Sequence, residues 1–323
     1  MKLEKLSPAF KDYLWGGTKL RDVYGKKCDY DKVAESWELS THPAGESTID
    51  GGQYDGLTLS QYFQKAGKEV LGKNPAAFEN FPVLIKFIDA KDPLSIQVHP
   101  SDEYALKVEH EYGKTEMWYV MDCDPGAFLY FGVNREVTRE EFKERIENNT
   151  VLEVLNRVDV HPGDVFFIKS GTIHAIGAGI LICEIQQNSN CTYRVYDYDR
   201  RGADGKPREL HVEKALAVSQ FTPSDTSSHI KAPETVSGGT IQRLGECKYF
   251  ATDKLQVEGA MNLEVDDDSF ASLIVTVGDC TVEGPENQVC CKAGDSIFVP
   301  AGTGTVKITG TATVVRTTIP AQE

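Results

Sequence analysis

The sequence has no C-x-x-C pair, no glycine-rich nucleotide loop and no apolar run long enough to cross a bilayer. Its eight cysteines follow no framework spacing, so free thiols in a reducing compartment are a simpler interpretation than a disulfide scaffold. Residues 1–6 also lack the apolar core of a signal peptide. Together these absences predict a cytoplasmic protein without a membrane partner.

Basic residues are scarce relative to acidic ones. The chain has 34 lysines and arginines against 49 aspartates and glutamates, which gives a formal net charge of -15. A surface of this sign repels nucleic acid and anionic membranes, so we expect the partner to be a small molecule. Any site for an anionic substrate must then be locally basic, against the field of the whole chain.

One pattern occurs twice in the sequence. Residues 163–174 and residues 294–305 each contain Gly-Asp, a short apolar run and a second turn with glycine. At the last position the first copy has His174 and the second has Thr305. The 323 residues are enough for two cores, so the repeat predicts one fold unit used twice. Only the first copy keeps a residue that can bind a metal, which places the chemistry there.

Short apolar runs separated by Gly, Asp, Asn and Pro predict a sandwich or barrel. The predicted strands are residues 81–89, 94–99, 117–120, 128–131, 165–168, 181–186, 193–198, 270–276, 288–291, 296–299 and 311–317. The predicted helices, which we expect beside the first barrel, are residues 60–71, 138–146 and 209–218. The second of these begins with Thr138 as N-cap and Glu141 three residues later.

A polar segment with a proline, residues 222–228, is the best candidate for a linker. It divides the chain into residues 1–230, with the helices and the metal candidates, and residues 231–323. The second part is predicted to be all β and to bind no metal.

Four polar side chains are predicted to meet inside the first barrel. Strand alternation places Gln97 and His99 on one face, and Lys114 and Glu116 on a face of another strand, while His174 follows a turn. Polar groups that point into a barrel are unfavourable unless something satisfies them. Two imidazoles, one carboxylate and one amide oxygen suit a catalytic Zn²⁺ site, and they also permit Fe²⁺ or Mn²⁺.

These motifs resemble those of the type I mannose-6-phosphate isomerases, in a compact bacterial form. The resemblance extends over essentially the whole chain and is carried by Trp15-Gly16-Gly17, residues 34–38, Gln-x-His-Pro at 97–100, Lys-x-Glu at 114–116, Gly-x-x-His at 171–174, residues 184–189 and residues 193–197. It implies a mainly β fold of two cupin (jelly-roll) barrels with a small helical subdomain beside the first. It also implies one zinc ion per chain at Gln97, His99, Glu116 and His174. We expect a monomer or a weak homodimer.

The reaction that the resemblance implies is the interconversion of mannose 6-phosphate and fructose 6-phosphate through a cis-enediol(ate). The family's active-site arginine corresponds to Arg194, which stays cationic and suits charge stabilisation. Glu184 is either the base, with a pKa raised in a partly dry pocket, or a structural partner of that arginine. Lys114 can be a proton shuttle, a phosphate contact or, if burial lowers its pKa, the base. Arg200 is a candidate for the phosphate, and Trp15 either lines the mouth of the site or belongs to the core.

Two other classes of function remain open. A cupin that binds a sugar or regulates without turnover would be expected to have lost Arg194 or a ligand, and all candidates are present. An iron-dependent cupin oxygenase is compatible with two histidines and one carboxylate. Lys114 beside the metal suits an anionic sugar better than it suits an oxygenase.

Overall fold

Strands form most of the regular structure in the computed structural model, which describes residues 1–202, 205–225 and 230–322. In chain order they are β1 (Glu4–Ser7), β2 (Ala9–Lys11), β3 (Glu35–Leu39), β4 (Thr48–Ile49), β5 (Val83–Ala90), β6 (Ile96–Val98), β7 (Glu116–Cys123), β8 (Phe128–Val133), β9 (Leu155–Asp159), β10 (Val165–Ile168), β11 (His174–Ala175), β12 (Ile180–Gln187), β13 (Tyr193–Tyr196), β14 (Glu234–Val236), β15 (Gly239–Cys247), β16 (Phe250–Val265), β17 (Ala271–Glu283), β18 (Gln288–Lys292), β19 (Ser296–Val299) and β20 (Gly304–Thr318). Each predicted strand coincides with one of these elements. The mainly β prediction is therefore confirmed.

The helices are short. They are α1 (Lys19–Asp22), α2 (Leu59–Ala66), α3 (Asp102–Val108), α4 (Arg139–Glu147) and α5 (Val212–Val218), with 3₁₀ turns at Gly52–Tyr54, Lys68–Leu71, Asn74–Ala77 and Val151–Val154. The Thr138 hydroxyl accepts a hydrogen bond of 3.1 Å from the Glu141 backbone N–H and so caps α4 as predicted. The predicted helix 60–71 is interrupted at Gly67, whose φ is 99°. None of the helices in the described ranges is long and apolar enough to cross a membrane.

The first barrel consists of two antiparallel sheets. Their strand orders are β10-β7-β12-β5-β3-β2 and β13-β6-β11-β8-β9. Side chains from both sheets, among them Ile88, Trp118, Phe131 and Ile182, form one buried apolar cluster between them. The outer face of the smaller sheet is covered by α4 and α5 through a second cluster.

The second barrel is built on a nine-stranded sheet, in the order β14-β15-β16-β20-β17-β19-β1-β4 with β18 on β17. Two strands from the start of the chain, β1 and β4, thus extend a sheet made mostly of C-terminal strands. The barrels meet in a large aromatic cluster, in which Phe81 and Phe270 stack at 5.3 Å and Phe63 of α2 contacts Phe298. The domain boundary at residue 230 stays a prediction, and residues 226–228 of the predicted linker lie outside the described residues.

The repeated sequence forms the same turn in both barrels. Gly163 and Gly294 have φ values of 96° and 97°, a left-handed conformation that favours glycine. In each copy the aspartate that follows accepts a hydrogen bond from the backbone N–H three residues earlier, at 2.8 Å and 2.9 Å. The copies diverge after the strand, because His174 begins β11 whereas Thr305 lies in the long β20.

Candidate active site

The predicted ligand residues meet where the two sheets of the first barrel approach each other. His99 follows β6, Glu116 begins β7 and His174 begins β11, opposite Gln97 of β6. His99, Glu116 and His174 are buried and offer ligand atoms within 4.8 Å of one another, the only such group found in the described residues. The Gln97 side-chain amide lies 3.4 Å from His174 Nε2, so it borders the same space.

Both histidines are oriented by backbone carbonyls. His99 Nδ1 donates to the Cys191 carbonyl at 3.0 Å, and His174 Nδ1 donates to the Thr172 carbonyl at 2.8 Å. Each ring therefore presents Nε2 towards the other ligands, in the arrangement usual for metal-binding histidines. Burial lowers the pKa of His174 to about 4 and also lowers the pKa of His99, so both rings are neutral near pH 7.

The Glu116 carboxylate lies between the histidines, with an oxygen 3.4 Å from each Nε2 atom. It is fully buried, and neither oxygen accepts a hydrogen bond of good geometry, although the Lys114 ammonium forms an ion pair with it at 2.7 Å. Burial, and next the neighbouring Glu184, raise the pKa of Glu116 to about 7. A buried carboxylate without hydrogen bonds beside two neutral imidazoles fits a divalent cation.

Glu116 ends a row of five buried charges that crosses the larger sheet. The order is Glu35, Lys86, Glu184, Lys114 and Glu116, with successive ion-pair distances of 3.6, 3.5, 3.7 and 2.7 Å. Three carboxylates and two ammonium groups leave one negative charge uncompensated. Because the row ends among the two histidines, a cation bound there would compensate it.

Glu184 has partners other than those we expected. One oxygen accepts a hydrogen bond of 2.9 Å from Trp118 Nε1, and the other faces Lys86 and Lys114; Arg194 is not among its described contacts. The expectation of a raised pKa is wrong: burial raises it, but Lys114, Lys86 and the hydrogen bond from Trp118 act against burial, and the pKa of Glu184 is lowered. Lys114 behaves in the opposite way to a lysine base, since Glu116 and Glu184 outweigh its burial and raise its pKa.

Lys86 and Glu35 were missed by the sequence analysis. Lys86 interrupts a strand whose residues are all buried, β5, and this was the available signal. Its ammonium lies 4.9 Å from the centre of the Trp37 ring, and Trp37 Nε1 donates to Glu35 at 2.6 Å. A charged residue that interrupts the apolar run of residues 83–88 is thus the sequence signal for this row.

A cavity of about 260 Å³ opens beside this row and beside Gln97. Its charged lining consists of the cations Lys86, Lys114, Arg194 and Arg208 and the carboxylates Glu35 and Glu184. The sequence left open whether Trp15 lines the mouth of the site or belongs to the core. In the structure it does both, since it lines the cavity and packs in the core. A larger cleft of about 900 Å³, next to α2, is lined by none of the predicted site residues. The smaller cavity is the locally basic site that an anionic substrate requires.

Three arginines surround the outer part of this site. Arg194 donates from Nη1 to the Glu209 carbonyl at 2.8 Å, while its Nε is buried without a partner. Arg200 lies outside the cavity lining and bonds to the Asp197 carboxylate and the Pro93 carbonyl. Arg208 bonds to the same carboxylate from within the lining, at 2.7 Å. Arg208, which the sequence analysis missed, thus lines the cavity, whereas Arg200, the predicted candidate for the phosphate, does not.

Two cupin barrels, of which the first holds a buried His-Glu-His group, define a metal-binding cupin. Residues 3–124 match the model of the phosphomannose isomerase type I catalytic domain, and residues 240–319 match that of the mannose-6-phosphate isomerase cupin domain. The chain is 40% identical over 306 residues to mannose-6-phosphate isomerase ManA of Bacillus subtilis, a match that covers 94% of this chain and 95% of that protein. It is 39% identical over 310 residues to the probable mannose-6-phosphate isomerase GmuF of the same organism, covering 95% and 96%.

The fold comparison agrees with the sequence matches. The crystal structure of the mannose 6-phosphate isomerase from Bacillus subtilis superposes with a TM-score of 0.90 at 35% identity, covering 98% of this chain and 99% of that one. The chain therefore belongs to the type I mannose-6-phosphate isomerase family and is an enzyme. The resemblance and the fold class predicted from the sequence are both confirmed.

Proposed function

We propose that the chain interconverts mannose 6-phosphate and fructose 6-phosphate with one zinc ion bound at Gln97, His99, Glu116 and His174. The observation that carries this proposal is the charge of the cavity beside those residues. Four cationic side chains and two carboxylates line it, in a chain whose formal net charge is -15. A local excess of positive charge attracts and holds a sugar phosphate.

The donor set supports zinc. Two neutral imidazoles and a carboxylate are typical zinc ligands, and an amide oxygen at Gln97 would be a fourth, which still permits a substrate oxygen to bind because zinc can also be five-coordinate. A bound zinc ion would act as a Lewis acid that stabilises negative charge on the sugar oxygens. The proton transfer itself would be carried out by Glu184 and Lys114, which line the cavity.

Isomerisation moves a proton from carbon 2 of the sugar to carbon 1. Glu184 is the base in this proposal, since it is ionised and one of its buried oxygens has no hydrogen bond. Trp118 holds the other oxygen and so fixes the direction of the carboxylate. Lys114, as an ammonium group, can donate to the sugar oxygens and move a proton between them, while Arg194 stabilises the charge of the enediolate.

The phosphate is proposed to bind at Arg208. Arg208 lines the cavity, and the Asp197 carboxylate orients its guanidinium group. A phosphate forms strong charge-assisted hydrogen bonds with a guanidinium group that is already oriented. Arg200 would then only orient Asp197, which in turn orients Arg208, although the sequence favoured Arg200 as the phosphate contact.

Replacing Arg208 with methionine is expected to raise the KM for mannose 6-phosphate by about 10- to 100-fold, the effect of losing one charge-assisted hydrogen bond. Arg200→Met is the matched control and should have a smaller effect, since that side chain does not line the cavity. Steady-state kinetics of both variants measure this. If Arg200→Met raised the KM more than Arg208→Met did, Arg200 would be the phosphate contact, as the sequence suggested.

The proposed reaction is tested by incubating the purified protein with mannose 6-phosphate and measuring fructose 6-phosphate in a coupled assay. Turnover should disappear after complete removal of metal by a chelator and return with added zinc. Unchanged turnover after chelation would refute the metal's role. Recovery of unchanged substrate would favour a binding protein, and iron in elemental analysis would favour the oxygenase.

Cytoplasmic location and a monomeric or weakly dimeric state stay predictions.

A further inference from the structure

The loop between two of the proposed ligands, His99 and Glu116, is held by one side chain of its own and by others outside it. It contains α3 and then residues 109–115, which include Lys114. The Lys114 ammonium lies 2.7 Å from Glu116 and 3.2 Å from His99 Nε2. Its position therefore depends on how firmly the end of this loop is fixed.

Two side chains hold the backbone on both sides of Lys114. The Gly113 N–H donates to Asp102 Oδ1 at 2.9 Å, and the Thr115 N–H donates to Gln187 Oε1 at 2.8 Å. The two side chains also bond to each other, because Gln187 Nε2 donates to Asp102 Oδ1 at 2.8 Å. The amides before and after Lys114 are thus connected through one small network.

The loop closes on itself at the same point. The Lys114 N–H donates to the Pro100 carbonyl at 3.0 Å. A β-carbon added at Gly113 would lie 2.4 Å from the carbonyl carbon of Ser101, so only glycine permits this approach. With its ends in contact, the loop cannot move Lys114 without breaking the bonds to Asp102 or Gln187.

The remaining oxygen of Asp102 is held from the second barrel. The Tyr249 hydroxyl donates to Asp102 Oδ2, and Tyr249 lies in the turn between β15 and β16. Tyr249 is buried, and its ring packs against Phe78 at 6.1 Å. The second barrel thereby reaches the loop that carries Lys114.

We propose that Tyr249 is a positioning residue for the reaction. It acts through Asp102 and Gln187 to fix the backbone around Lys114, so that the second barrel contributes to the chemistry of the first. The inference rests on the proposed function. A displacement of a catalytic group by a fraction of its contact distance lowers turnover more than it lowers ground-state binding.

Tyr249→Phe keeps the ring and removes only the hydroxyl. It is expected to lower kcat by about 5- to 20-fold, corresponding to part of a hydrogen bond to a charged group. KM for mannose 6-phosphate and zinc content should stay at wild-type levels. Lys248→Met is the matched control: its ammonium is 3.5 Å from the same carboxylate but 62% exposed, so kcat should change by less than about twofold.

A double variant separates positioning from general stability. In a Lys114→Met background, Tyr249→Phe should cause no further loss of kcat, since the group through which it acts is absent. A purely structural role would lower the melting temperature and reduce activity by the same factor in both backgrounds. Wild-type kcat in the Tyr249→Phe variant would overturn the inference alone. An inactive wild type would overturn the proposed function and the inference with it.

Discussion

Replacing Glu184 with glutamine is expected to lower kcat by about 100- to 10,000-fold, the range in which loss of a general base falls. Glutamine has nearly the same shape and can still accept the hydrogen bond from Trp118. It cannot take a proton from carbon 2. Coupled-assay kinetics and zinc analysis of the same preparation provide the measurement, and the zinc content should equal that of the wild type.

Glu35→Gln is the matched control for this prediction. Glu35 lines the same cavity and contacts Lys86 from the side opposite Glu184, at 3.6 Å. The Glu35→Gln substitution changes the cavity's charge by the same amount as Glu184→Gln but removes no base, so it should reduce kcat far less. Equal losses in the two variants would show that the charge of the row matters and that Glu184 has no special role.

The row of buried charges explains why an apolar barrel tolerates this site. Each carboxylate has an ammonium neighbour, which offsets much of the desolvation of both. Lys86 and Glu184 lie directly opposite each other on β5 and β12, so the pairing is built into the register of the sheet. Glu116, at the end of the row, has two buried oxygens without a hydrogen bond and lies among the proposed metal ligands.

The ligand group could be predicted from the sequence because the rules that place it are local. Alternation along a strand puts Gln97 and His99 on one face, and the repeated turn places His174 at the start of the next strand. The resemblance to a known family then supplied the arrangement in space. Each step needs only a few neighbouring residues, and the structure brings the side chains together as expected.

The rest of the site depends on contacts that local rules do not contain. That Lys86 faces Glu184 follows from pairing between strands about one hundred positions apart, and the direction of the Glu184 pKa shift follows from that pairing. Arg200 and Arg208 both bond to the Asp197 carboxylate, and only the folded loop decides which of them lines the cavity.

The long strands of the second barrel were underestimated for a related reason. Residues 311–317 were predicted where β20 has 15 residues, and β16, with 16 residues, was missed altogether. Both contain a glycine in mid-strand, Gly259 opposite Gly310, which reads as a turn in the sequence. In the structure the two glycines pair within a continuous ladder, because cross-strand hydrogen bonds carry the chain through them.

Glu116→Gln is expected to abolish zinc binding, and with it both turnover and the stabilisation of the fold by zinc. Zinc at about 1,000 times its Kd stabilises a native protein by about 4 kcal/mol, which corresponds to a rise in Tm of roughly 5–10 °C for a chain of this size. The variant should show no rise, because an amide replaces the only charged ligand and leaves two neutral imidazoles and Gln97. Thermal unfolding with and without zinc measures this.

Glu184→Gln serves as the control for zinc binding, since it removes a carboxylate from the same row without removing a ligand. It should keep the zinc-dependent rise in Tm while losing turnover, and Glu116→Gln should lose both. A rise of wild-type size in Glu116→Gln would mean that zinc binds elsewhere in the chain. Because the two variants differ only in which carboxylate of one continuous row is neutralised, opposite responses to zinc would separate the group that binds the metal from the group that moves the proton.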